Sequence, residues 1–135
     1  MLFNRKGLDL VHPALTNHVD KMGKINLSQQ LGKEFIICGF VYKHYDDGYR
    51  CFLVTFDSVL LRMPKWFSST LNNLSEKELE YLKSGDVKIT NIRRIITNHD
   101  LGFYTTGFDL VDKNTKKIFI STDKSMQFGS GNFIE

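Results

Sequence analysis

The 135-residue chain is poor in the residues that most often mark a special architecture, with two cysteines, two prolines and one tryptophan. Cys38 and Cys51 sit inside apolar, strand-like runs and not at metal-ligand spacing. That excludes a disulfide framework and a CxxC zinc site, and predicts buried free thiols in a reducing compartment. Pro13 and Pro64 are too few for a proline-rich linker, and no repeat, heptad series or low-complexity tract divides the chain. No apolar stretch is long enough for a signal-peptide core or a membrane span, so a soluble, cytoplasmic protein without membrane contact is expected. The P-loop, dinucleotide and HExxH patterns are all missing, and His12, His18, His44 and His99 are scattered. No local signature marks a nucleophile, so neither an enzyme nor a metal or other cofactor is expected. A dominant charge is lacking too. Eighteen basic against 15 acidic side chains leave a net charge of +3. The excess sits in residues 1–30, with four Lys or Arg against two Asp, and in 85–121, with six against four.

What the chain does have is a succession of short strand patterns. EFIICGFVYKH is apolar on both alternating faces, as in a strand covered on two sides. The turn YDDG follows, its Asp47-Gly48 pair suited to the positive φ of a tight hairpin. In YRCFLVTFD, Phe52, Val54 and Phe56 share a core-like face, whereas Tyr49, Cys51, Leu53 and Thr55 share a mixed one. SVLLRM reads as a third strand ended by Pro64. From Lys65 to Ser84 the spacing becomes helical through Trp66, Phe67, Thr70, Leu71 and Leu74, and Ser75 with Glu78 forms a capping box before Leu79 and Leu82. DVKITNIRRIITN and FYTTGFDLV make a second hairpin. Its pattern shifts at Asn91 to Arg93, which predicts a bulge that turns Arg93 and Arg94 outward and leaves Ile92, Ile95 and Ile96 as candidates for burial. Lys117 to Ser121 is a short further strand.

Three strands, a helical insert and two strands is the order of a five-stranded OB-fold barrel, an all-β architecture that binds oligonucleotides or oligosaccharides through its second and third strands and two hairpin loops. The barrel is expected over residues 33–121, with an N-terminal arm over 1–32 and a flexible tail over 122–135. Single-stranded nucleic acid is bound by aromatic platforms under the bases and cations along the backbone. Lys43, His44, Tyr45, Tyr49 and Arg50 bring both to the first hairpin, and Arg93, Arg94, His99, Phe103 and Tyr104 bring both to the second. Arg62 and Lys65 would join them. Taken singly, each tyrosine is an ordinary strand residue and each cation a solubilising charge; the clustering favours a site. Trp66, beside Phe67, reads as a plug at the barrel's end. Leu8, Leu10, Val11, Leu15 and Val19 of the arm have no place in a barrel beginning near Lys33, so they are expected to pack on a neighbouring copy and link subunits.

The frame GKEFIICGFVYK, the strand GYRCFLVTF, the helical insert and the hairpin from ITNIRRIITN to GFYTTGFDLV resemble the small OB-fold single-stranded DNA-binding proteins of Gram-positive conjugative plasmids and phages, in particular those of the transfer operons of enterococcal pheromone-responsive plasmids. The resemblance covers roughly residues 31–121. It implies a cytoplasmic, non-enzymatic protein acting on single-stranded DNA in plasmid transfer or phage replication, with duplex DNA a weaker partner. The end NFIE departs from the acidic tip of housekeeping single-strand binding proteins, so recruitment of replication partners through such a tip is not expected. The rival expectation is an OB-fold adaptor in a secretion or phage complex, in which the same aromatics meet a protein.

Overall fold

The computed structural model describes residues 10–46, 48–98 and 100–122; Leu8, His99 and the tail from residue 123 onward lie outside the described residues. The strands are β1 (Leu10–Val11), β2 (Gly23–Asn26), β3 (Phe35–Tyr45), β4 (Gly48–Thr55), β5 (Val59–Arg62), β6 (Val87–Asn98), β7 (Phe103–Asp112) and β8 (Ile118–Ser121). Helices α1 (Phe67–Asn72) and α2 (Glu76–Lys83) lie between β5 and β6. The protein is thus mostly β, and the helical insert is two short helices. All eight strands join one open sheet in the order β2-β5-β4-β3-β6-β7-β8, with β1 added to β3. Every pairing is antiparallel except that of β2 with β5.

β3 organises the molecule because its partner changes along its length. Its first residues, Phe35 to Ile37, pair with β6, and Ile37 to Tyr45 pair with β4. The register shifts between Ile37 and Phe40, where Gly39 adopts φ +133°. A Cβ there would stand 2.1 Å from the Leu10 carbonyl oxygen, so only glycine admits the arm strand β1 against this bend. His12 N–H continues the contact by donating to the Cys38 carbonyl at 2.8 Å.

The apolar side chains separate into two clusters on opposite faces of the β3–β4–β5 sheet. The larger gathers Phe40, Cys51, Leu53, Leu61, Phe67, Leu71, Ile89 and Phe108 beneath the helices. The smaller holds Cys38, Val41, Phe52, Val54 and Leu60, and it is closed by Val19 and Met22. This corrects two expectations. The mixed face of β4, Cys51 and Leu53, belongs to the larger core; the face of Phe52 and Val54 is covered by the arm. The arm itself lies on its own chain. Leu10 and Val11 pair with Phe40 and Gly39, Val19 is buried, and Leu15 packs at the edge of the smaller cluster. Val19 is thus buried, and Leu10, Val11 and Leu15 half-buried, against the chain's own core, where packing on a neighbouring copy was expected.

The arm also occupies the open seam between β5 and β7. β2 runs along β5, and the turn Leu27–Gln29 that follows sends Leu27 into the larger core. Burial of a leucine of this kind is worth about 1.5–3 kcal/mol. On the helical side the capping box forms as expected: Ser75 Oγ accepts from Glu78 N–H at 3.2 Å, and Glu78 Oε1 accepts from Ser75 N–H at 2.8 Å. Trp66 lies half-buried with its ring stacked on Phe108, centroids 5.6 Å apart and planes within 10°. Cys38 and Cys51 are free and buried, and burial pushes the Cys38 thiol up to about 12, which leaves it a neutral, inert group.

Candidate functional site

Both hairpins run beyond the core, and strand alternation decides what their tips present. In the first, Tyr42, His44 and Tyr49 continue the face of Cys51 and Leu53, whereas Lys43, Tyr45 and Arg50 continue the face of Phe52. The Tyr49 ring meets the rings of His44 and Tyr42 edge-on at 5.0 and 6.3 Å. On the other face the register pairs Lys43 with Arg50, Phe52 with Arg62, and Arg62 with Asn26. Four cations therefore share that face, because Lys24 of β2 reaches across it, its Nζ lying 5.7 Å from the Tyr45 ring centre and 5.8 Å from that of Phe52. Lys43 is 3.6 Å from the exposed Asp20 carboxylate.

The second hairpin separates its two arginines. A bulge lies between Thr90 and Arg93, with Asn91 at φ +54°, as the pattern shift predicts. Only Arg94 then turns outward. Arg93 is half-buried, ion-paired with Asp109 at 3.2 Å, and bonded to the carbonyls of Asn91 and Thr122. It ties β6 to β7 and to the chain beyond β8, so its charge is spent inside the protein. Arg94 stands over the Tyr104 ring, 4.4 Å from its centre. Ile92 is buried, but Ile96 is 49% exposed, a correction to its expected burial, because the strand has left the core by that point. With Leu101, Phe103 and Tyr104 it forms an apolar tip.

A groove lies beside each hairpin. One, of about 350 Å³, is lined by Tyr49, Arg50, Lys65, Ser68, Ser69 and Asn72. The other, of about 310 Å³, lies in the seam between β2–β5 and β7, lined by Asn26, Ser28, Arg62, Tyr104, Thr105 and Thr106. Met63, itself buried, borders both. Among the described residues neither lining contains a carboxylate. Among the described residues Arg62 and Lys65 are exposed and form no ion pair. Of the expected residues, one groove brings together Tyr49, Arg50 and Lys65, and the other Arg62 and Tyr104. Lys43, His44, Tyr45, Arg94 and Phe103 stand on the flanking tips, and Arg93 is set apart.

No protein-family model, curated protein or solved structure matches this chain. The site rests on its own geometry.

Sequence reasoning missed Lys24, Asn26 and Ser28, all from the arm. A signal for two of them was present, since Asn-Leu-Ser after a short polar strand is a helix-start pattern. Asn26 does sit at the start of the Leu27–Gln29 turn, although its side chain does not cap it. Among the described residues no three His, Cys, Asp or Glu side chains gather as a metal site would require, and no helix is long and apolar enough to cross a membrane.

Proposed function

We propose that the protein binds single-stranded DNA along the two grooves, as a non-enzymatic coat or carrier protein in conjugative plasmid transfer or phage replication. The observation that carries the proposal is that Tyr49, Arg50 and Lys65 line one groove and Arg62 and Tyr104 the other, with no carboxylate among the described residues of either lining. Single strands need cations for phosphates and aromatic faces for bases, and a neighbouring carboxylate would repel the backbone. Tyr45 and Phe103 on the flanking tips, 39% and 60% exposed, supply further faces for stacking.

In this proposal β3 to β7 are the five strands of an OB-type barrel. What supports that assignment is the pairing of β3 with both β4 and β6, of β4 with β5, of β6 with β7, and the helices between β5 and β6. OB barrels are partly open; here the arm fills the opening. The cellular setting follows from the sequence resemblance.

The test is fluorescence anisotropy with single-stranded DNA, single-stranded RNA and duplex DNA at several salt concentrations. Phosphate contacts by Arg50, Lys65 and Arg94 predict a log-log salt slope of about −2 on single strands, at about 0.7 per phosphate. The expected order places single strands above duplex. Equal or absent binding of all three nucleic acids would overturn the proposal and favour the adaptor reading, for which the apolar tip of Ile96, Leu101 and Phe103 would be the protein-binding surface.

A further inference from the structure

The seam groove has a feature that backbone binding does not need. Asn26 and Arg62 are register partners in the parallel β2–β5 pair, so their side chains leave the sheet edge side by side, and both residues line the groove. Both are exposed, and among the described residues neither side chain makes a hydrogen bond or ion pair. Asn26 occupies a helix-start position, where an asparagine side chain ordinarily bonds the following N–H groups, yet it leaves them alone. Across the groove stands Tyr104, steadied by Arg94 over its ring, with Thr105 and Thr106 also in the lining.

An amide and a guanidinium with unspent donors, next to an aromatic face, are the groups that read base edges. Arginine donates two parallel bonds to O6 and N7 of guanine, and asparagine gives and takes one bond each at N7 and N6 of adenine. Thymine offers neither pair of adjacent atoms. We infer that the seam groove is a purine-reading subsite, in which one base of a bound single strand lies at Tyr104 and presents its N7 edge to Arg62 and Asn26. The groove of Tyr49, Arg50 and Lys65 then takes the sequence-independent share of the binding. The inference rests on the proposed binding of single strands and adds to it a base preference at one position.

The test compares oligo-dT with the same length of oligo-dT carrying one central dG, one dA or one dC, by anisotropy titration of the full chain. A dG or dA should tighten binding about fivefold or more, the lower end of what a bidentate base contact supplies. A dC should not. Arg62→Ala should abolish the gain from dG and keep that from dA; Asn26→Ala should do the reverse. Asn26→Asp, which keeps the side chain's size and removes its donor, serves as a second variant if the alanine disturbs β2, and thermal melts check folding of each. The inference is overturned if the wild-type protein binds all four strands equally, if dC matches the purines, or if both variants keep both preferences. It is also overturned if Arg62→Ala keeps the dG preference and lowers the salt slope by about 0.7, which would make Arg62 a phosphate contact. Failure to bind any strand would instead remove the single-strand proposal on which it stands.

Discussion

The β3–β4 hairpin is gripped from outside by the arm, through β1 at Gly39, Asp20 at Lys43 and Lys24 at Tyr45. Among the described residues, the supports near the tip of the β6–β7 hairpin include Arg93, across to Asp109 and to the Thr122 carbonyl, and Arg94 over Tyr104, and the hairpin ends in exposed Ile96, Leu101 and Phe103. Both were expected from the same mixture of tyrosine, arginine and histidine. Composition at a tip therefore does not say whether its groups are occupied. At the first tip the aromatics already meet a lysine or another ring; at the second most of the apolar surface is uncovered.

Removal of the arm should have the largest effect. Val19, Met22 and Leu27 are buried by it, worth roughly 5–9 kcal/mol together, and a domain's whole stability is of about that size. A protein lacking residues 1–30 should show no cooperative thermal transition. A folded truncation would mean that the arm merely decorates the sheet. Less drastically, Gly39→Ala should cost at least about 2 kcal/mol, since the new Cβ meets the β1 backbone at a positive φ. Gly102→Ala, at φ +70° in the second tip with open space around it, should cost only about 1 kcal/mol. Chemical denaturation of both variants measures the difference, and equal losses would erase the asymmetry between the hairpins.

Arg93 and Arg94 sharpen it at a single step of chain. Arg93→Ala leaves the largely buried Asp109 carboxylate short of its ion-pair partner and should lower stability by about 1–3 kcal/mol. Arg94→Ala should leave the melting temperature nearly unchanged while weakening oligo-dT binding and flattening its salt dependence by about 0.7. If the two variants behave alike in both assays, the bulge does not separate them. Among the tyrosines, Tyr104→Ala should weaken binding of oligo-dT by about 1 kcal/mol or more. Tyr49→Ala should weaken it less, because its ring is already engaged by His44 and Tyr42. A larger effect at Tyr49 would reverse the ranking of the tips.

What could be read in the sequence follows from which interactions are local. Alternation located β3, β4, β6 and β7, and the Ser75–Glu78 spacing gave the start of α2, because strand faces and helix caps are set by residues a few positions apart. The broken pattern at Asn91 likewise announced its bulge. The fate of the arm was not legible. A parallel pair such as β2–β5 has no hairpin turn to mark it, and the apolar Leu10, Val11 and Val19 read the same whether their cover is the chain itself or another copy. For the same reason the Phe52 and Val54 face of β4 looked like the principal core, when its cover includes Val19 and Met22 of the arm, far upstream in the chain. Arg93 shows the limit within one site. Its neighbour Arg94 has the same side chain, and only the tertiary position of Asp109 and of the Thr122 carbonyl decides which of them remains available.

The smallest expected effect lies at the root of the second hairpin, where support is dense and the tip's freedom ends. Tyr81 Oη of α2 donates to Asp112 Oδ2 at 2.6 Å, and the N–H groups of Asn114 and Thr115 donate to Oδ1 at 2.9 and 3.0 Å. The Tyr81 bond first, and the two backbone bonds after it, hold the Asp112 carboxyl down at about 2, below the ordinary aspartate value. Burial, then the same carboxylate, pushes the Tyr81 hydroxyl up, so the tyrosine remains the donor at all moderate pH. A carboxyl depressed in the folded state stabilises it fully above its ordinary pKa and loses that stabilisation as protons bind. For Asp112 the loss falls between about pH 4 and pH 2. Removing the donor in Tyr81→Phe lets the folded pKa rise toward the ordinary value, so less stabilisation remains to be lost. The melting temperature of Tyr81→Phe should therefore start lower near neutrality and fall less steeply than that of the wild type through this window. Glu34, lowered by its bonds with Thr90 and Lys88, titrates the same way in both proteins and cancels from the difference. Parallel acid melts of the two proteins would show that the root of the hairpin draws nothing from the Tyr81–Asp112 bond.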